Sequence, residues 1–111
     1  MNKLVGDRFV LRRKVENYLL QLTHLDGGSK ARFFMAHGFS ADDPDRLIAA
    51  LSAHPDDNPV VAVRESQHGV TSVIRCRLRS PDGRDPCVQT IWMLDKGGSI
   101  HRFVTAYPSR D

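Results

Sequence analysis

The feature that most constrains this chain is a change of hydrophobic period near residue 59. Ahead of it apolar residues recur at helical spacing, and behind it they alternate. After a short extended lead, Arg8-Phe9-Val10, the residues Leu11, Val15, Tyr18, Leu19 and Leu22 share one helix face. A second helix is expected from about Lys30 to His37, burying Phe33, Phe34 or both before Gly38 ends it. A third carries the fullest set of signals: Asp43 as cap, Pro44 at the first helical position, Leu47, Ile48 and Leu51 along one side, and a stop before Pro55. From Pro59 the pattern predicts strands over 60–65, 70–79, 87–94 and 100–107. Turns at Gln67-His68-Gly69, Pro81-Asp82-Gly83 and Lys96-Gly97-Gly98 join them. Short loops between successive strands give an antiparallel meander. The expectation is one α+β domain over 1–111, with a helical half (11–54) packed on one face of a four-stranded antiparallel sheet (59–108).

Length and composition set outer bounds. A chain of 111 residues holds one core and has no room for a catalytic domain beside a separate binding domain. With 41% hydrophobic and 26% charged residues it is an ordinary globular composition, which excludes wholesale disorder. No apolar run approaches the ~20 residues of a membrane helix, and Met1 to Arg8 lacks the apolar centre of a signal peptide. The expectation is therefore a cytoplasmic protein, or a domain cut from a larger one, with no membrane partner. Net charge is +3, and its placement is uneven: residues 1–57 hold eight Lys/Arg against eight Asp/Glu, residues 58–111 eight against five. That excess in the second half is compatible with a weak polyanion-binding face. Cys76 and Cys87 have no partner at metal-ligand spacing, so neither a metal nor a cofactor is expected. They flank the turn at Pro81-Asp82-Gly83, where a disulfide fits a secreted domain and reduced strand residues fit a cytosolic one.

The stretch from Tyr18 to Phe34 joins two apolar segments through a polar turn carrying His24 and Lys30. Gly27-Gly28 breaks the first helix, and Ser29 can cap a second that opens with Lys30 and Arg32. An imidazole and two cations around a helix N-terminus suit an anion, because unpaired backbone N–H groups and the helix dipole add to the side-chain charge. A capped helical hairpin with solvated charges would show the same residues.

In the second strand Ile74, Cys76 and Leu78 alternate with Arg75, Arg77 and Arg79. In the fourth, Ile100, Val104 and Ala106 alternate with His101, Phe103, Thr105 and Tyr107. With helices over the aliphatic face, the open face would show arginines, a histidine, a threonine and a tyrosine. Those side chains bind and cleave phosphodiesters without metal: an imidazole moves the proton, cations steady the phosphorane, hydroxyls hold the oxygens. A one-sided sheet also shows polar residues to water for no further reason. Trp92 alternates in phase with Val88, Thr90 and Leu94 and is read as core packing between sheet and helices. His37 suits a helix end and His68 occupies a turn.

The combination Y-L-L-x-x-x-H-x-x-G-x-S-K-A-R-F-F, then H-G-F-S, then R-F-V-T-A-Y-P, resembles a family of small bacterial domains of unknown function across nearly the whole chain. Helices followed by a four-stranded antiparallel sheet also resemble the barnase/EndoU/colicin/RelE group of small ribonucleases, which includes contact-dependent and toxin-antitoxin effectors. The resemblance implies a toxin-type, metal-independent endoribonuclease with His24, Lys30, Thr105 and Tyr107 at the motif positions. His24 would act as general acid or base, Lys30 would steady the transition-state charge, and Thr105 and Tyr107 would orient the phosphate or stack a base. Arg32, Arg75, Arg77, His101 and Arg102 are the expected substrate contacts. RNA, with tRNA as one candidate, and an acidic immunity or antitoxin protein would be the partners. Delivery into a target-cell cytoplasm within a larger effector would be the route. His101 stands where relatives tend to have proline, leaving it open whether it is a second catalytic group or a surface substitution. The other function class is a non-catalytic adaptor or antitoxin-like module using the same open sheet. Ala53-His54-Pro55-Asp56-Asp57 matches the A-H-P-D-D signature of LmbE-like zinc deacetylases. Here it follows an amphipathic helix, Asn58 takes the place of the usual Glu, and the chain is too short for that fold, so a helix stop with a polar turn is expected.

Overall fold

The computed structural model describes residues 2–22 and 28–110. In chain order the elements are β1 (Arg8–Phe9), α1 (Arg12–Lys14) running on into a π-helical turn (Val15–Leu19), α2 (Gly28–Ala36), α3 (Pro44–Asp57), β2 (Val60–Ser66), β3 (Gly69–Arg77), β4 (Cys87–Asp95) and β5 (His101–Pro108). The period change thus marks the boundary between helices and the four long strands.

The sheet has five strands in the order β1-β5-β4-β3-β2, not the four expected. The fifth is the lead at Arg8 and Phe9, which pairs parallel to His101 and Arg102 at the start of β5. Two residues are too short to show a period, so only the long-range pairing makes them a strand. β2 to β5 form the expected antiparallel meander, with β2 on the outer edge.

The helices cover one sheet face. Val15, Leu19, Phe34, Leu47 and Leu51 are fully buried against Ile74, Val88, Trp92 and Ala106. Trp92 meets Phe103 edge-on, ring centres 5.5 Å apart, in the expected core role. In the first helix the Leu20 N–H bonds the Val15 carbonyl five residues back, 2.9 Å, so the turn is widened around Tyr18. α2 begins at Gly28, which places Ser29 inside the first turn rather than at the cap. Gly28 has room only for hydrogen: a Cβ there would lie 2.8 Å from the Leu22 carbonyl oxygen.

α3 opens at Pro44 as expected but does not stop before Pro55; it runs to Asp57 with His54 and Pro55 buried. A proline in the last turn costs only one intrahelical hydrogen bond. The His54 main chain is held at this end by Asn58, whose amide donates to the His54 carbonyl (3.0 Å) and to the Arg77 carbonyl (2.9 Å). Asp43 takes the cap position without a side-chain bond.

His54 is a bolt between α3 and the sheet. Its Nε2 contacts the Cys76 carbonyl at 3.0 Å, and a carbonyl only accepts, so the proton is on Nε2. Its Nδ1 therefore accepts from the Thr90 hydroxyl at 2.8 Å, and Thr90 Oγ1 in turn accepts from the Trp92 indole N–H at 2.9 Å. Both ring nitrogens are committed to protein partners, which gives the A-H-P-D-D residues a structural use in place of the expected polar turn. Cys76 and Cys87, on β3 and β4, are joined in a disulfide beside this bolt.

β5 breaks the simple alternation. Ile91 faces Thr105 but Trp92 faces Phe103, so Val104 is an extra, bulged residue. A one-residue insertion reverses the side-chain phase. His101 and Phe103 consequently lie on the covered face with Ala106, while Thr105 and Tyr107 lie on the open one. The Val104 carbonyl accepts from the Lys14 ammonium at 2.8 Å.

Candidate functional site

Cross-strand register arranges the open face as rows. One is polar, Arg75–Gln89–Tyr107, across β3, β4 and β5; the next is Ala62–Val73–Ile91–Thr105; a third is Arg64–Thr71–Met93–Arg102. At the β5 end of the middle row, α2 brings in Lys30. Its ammonium donates to Tyr18 Oη at 2.6 Å and to Thr105 Oγ1 at 3.1 Å. It also sits 4.8 Å from the Tyr18 ring centre and 5.7 Å from that of Tyr107. Lys30 and Thr105 are 75 residues apart in sequence. Thus the structure brings together three of the four expected catalytic residues, Lys30, Thr105 and Tyr107; the fourth, His24, lies outside the described residues.

Two residues not expected from the sequence complete the cluster. Tyr18, presented by the π-helical turn, accepts from Lys30. Gln89 donates its amide N–H to Tyr107 Oη, and its oxygen accepts two bonds from Arg75, 3.1 and 2.9 Å. With Oη accepting from Gln89, the Tyr107 hydroxyl keeps its own proton to donate to an acceptor. The π turn that presents Tyr18 has no signature in a helical spacing pattern, and Gln89 gains meaning only from standing opposite both Arg75 and Tyr107.

The surroundings are cationic. Lys14, bonded to the Val104 bulge, has its pKa lowered, first by burial and then by the charge of Arg102. A half-buried hydroxyl cluster gathered around one ammonium, with further cations beside it, is suited to hold an anion and to steady charge that develops on it.

The expected substrate contacts divide. Arg75 is in the open-face network through Gln89. Arg102 lies on the open face but is ion-paired with Asp95 at 2.8 Å, which raises its pKa. Arg77 donates to the Asp85 carbonyl (3.4 Å) at the far end of β3. Arg79 is beyond the strand, paired with Asp57 at the end of α3, and is no part of this face. Arg32 is exposed; two residues from Lys30 on one helix, it points to another side. His101 is not on the open face: it is 9% exposed on the covered side, its Nδ1 without a partner among the described residues. The bulge at Val104 is the reason. Among the described residues no group of His, Cys, Asp and Glu has the arrangement of a metal site, and no helix is long and apolar enough to cross a membrane.

Fold and site together define a small α+β domain with a lysine–hydroxyl cluster at one end of an open sheet face. The chain belongs to the family described as Domain of unknown function (DUF6883), whose model matches residues 3–110. Among solved structures it is similar to a chain of the "Contact-dependent growth inhibition toxin - immunity protein complex from Klebsiella pneumoniae 342". The TM-score is 0.72 and the identity 21%, covering 90% of this chain and 98% of that one. At that identity the likeness is one of fold. No curated protein matches.

Proposed function

We propose that this domain is a toxin-type, metal-independent endoribonuclease, with RNA bound across the open sheet face and the scissile phosphate at Lys30. The supporting observation is the contact of the Lys30 ammonium with Tyr18, Thr105 and the Tyr107 ring, which assembles the motif residues from opposite ends of the chain. In this reading the 2'-hydroxyl attacks the adjacent phosphorus and the bond to the 5'-oxygen breaks, leaving a 2',3'-cyclic phosphate and a 5'-hydroxyl. Lys30 steadies the charge on the phosphorane oxygens, and Thr105 and Tyr107 hold those oxygens by hydrogen bonds. His24 takes the 2'-hydroxyl proton or returns one to the leaving oxygen. The fold shared with a chain of a toxin–immunity complex favours this reading over a housekeeping nuclease, and an acidic immunity protein would cover the cationic face. The domain would act in the cytoplasm of a target cell.

The test is cleavage of total RNA, and of tRNA separately, in EDTA by the wild type and by His24→Ala and Lys30→Ala. Discrete products lost in both folded variants support the proposal; equal cleavage by wild type and Lys30→Ala refutes it. A binding-module reading is favoured by one observation, the uncovered edge strand β2 with Val61 and Val63 exposed. It gains if the well-folded wild type cleaves nothing yet forms a stable complex with a protein partner.

A further inference from the structure

Beside the lysine cluster, on the same face, lies a cavity of about 440 Å³ that runs from β2 to Tyr107. Its floor is the middle row of the sheet, Ala62, Val73 and Ile91, which is apolar and one residue wide. Polar side chains border it on both sides: Gln89 and Tyr107 along one, Arg64 and Thr71 along the other. Cations stand at both ends. At the β5 end the cavity reaches Tyr107, whose ring centre lies 5.7 Å from the Lys30 ammonium; Arg64 stands at the β2 end, exposed and without an ion pair among the described residues. From β2 to β5 is three strand spacings, roughly 14 Å.

We propose that this slot is a nucleobase subsite: a base of single-stranded RNA, next to the scissile phosphate, lies on Val73 and Ile91 with one edge toward Gln89 and the opposite edge toward Arg64. The proposal rests on the ribonuclease reading, because it takes Lys30 as the phosphate position. An apolar strip with a cation near each end suits a short single-stranded segment, in which flat apolar base faces lie between charged phosphates. A purely apolar ligand would leave Arg64 and Lys30 without counter-charge. An added peptide strand would use the backbone edge of β2 rather than a row crossing three strands. Gln89 is fixed for recognition, since its oxygen is held by Arg75 and its amide by Tyr107. Tyr107 belongs to both the slot and the lysine cluster, so base and phosphate would be placed relative to each other by one rigid ring.

The experiment follows methyl resonances of the wild-type chain during titration with each of the four nucleoside 3'-monophosphates, with inorganic phosphate as control. Val73 and Ile91 methyls are expected to shift with nucleotides and stay still with phosphate. Arg64→Ala, an exposed change, is expected to weaken nucleotide binding and raise KM for RNA about tenfold, the loss of one charge-assisted contact. Shifts confined to residues around Lys30 and equal for phosphate and nucleotides overturn the slot, as does unchanged nucleotide affinity in Arg64→Ala. The two readings fail separately. Base-dependent shifts in a protein that cleaves no RNA would sink the ribonuclease and keep the slot; cleavage with phosphate-only shifts would sink the slot and keep the ribonuclease.

Discussion

His54→Ala probes the bolt between α3 and the sheet. The imidazole is 1% exposed and makes two hydrogen bonds, to Thr90 and to the Cys76 carbonyl. Losing both costs about 2 kcal/mol, and the stranded partners with the cavity left behind add about 1–2 more, for a total of about 3–4 kcal/mol. That is a large share of the 5–15 kcal/mol typical of a domain. In urea the midpoint should fall by about 2 M at an m-value of about 1.5–2 kcal/mol/M, with m unchanged. Acidity supplies a second, independent readout. Burial lowers the His54 pKa from its ordinary 6.5, opposed by the carbonyls of Cys76 and Val88 and by Asp57. The folded state then binds fewer protons than the unfolded one below pH 6.5, so the stability from His54 is complete above that pH and is lost as pH falls toward the folded pKa. The wild type should lose up to about 1.4 kcal/mol per pH unit from this group within that window. The variant lacks this loss, so the gap between the two should narrow on going from about pH 7.5 to 5.5. A gap below about 1 kcal/mol at neutral pH, or one that widens with acid, would refute the network described for His54.

Other outcomes follow from the same structure. On the ribonuclease proposal, Lys30→Ala should lower RNA cleavage by at least about 100-fold while leaving the thermal midpoint within a few degrees, measured by gel assay and calorimetry, since it would remove the charge proposed to sit at the reacting phosphate. Tyr107→Phe should cut cleavage about 10-fold or more with the fold intact, because it removes one hydroxyl and keeps the ring. Gly69→Ala should destabilise by about 2 kcal/mol or more in denaturant titration: its φ is +144°, and a Cβ would fall 2.1 Å from the Leu94 carbonyl oxygen. Reducing Cys76–Cys87, with a sequence separation of 11, should cost about 2.8 kcal/mol by loop entropy, visible as a lower midpoint with reductant and absent in the Cys76→Ala/Cys87→Ala protein.

Much of the fold is written locally. The switch from helical to alternating spacing near residue 59 separates α3 from β2, and Gly and Pro mark the turns between strands, because burial of one face forces a period on each element. Trp92 could be assigned to the core for the same reason. Of the site, the motif residues Lys30, Thr105 and Tyr107 were legible, and the structure brings them within reach of one another.

Long-range pairing decided the rest. Arg8 and Phe9 become a strand only because β5 offers them an edge. His101 leaves the open face, while Thr105 and Tyr107 keep it, because one extra residue at Val104 reverses the alternation; the register with β4 sets that bulge, and no property of Val104 itself announces it. His54 looks like a metal ligand or a helix stop in its local string, yet in the fold it is committed to Thr90 and Cys76 from two different strands. Tyr18 and Gln89 join the site because a π turn and a cross-strand position aim them there. Periodicity reports which face of an element is buried. Which side chains meet across elements depends on register, and register is a property of pairs of segments that the sequence of either one does not contain.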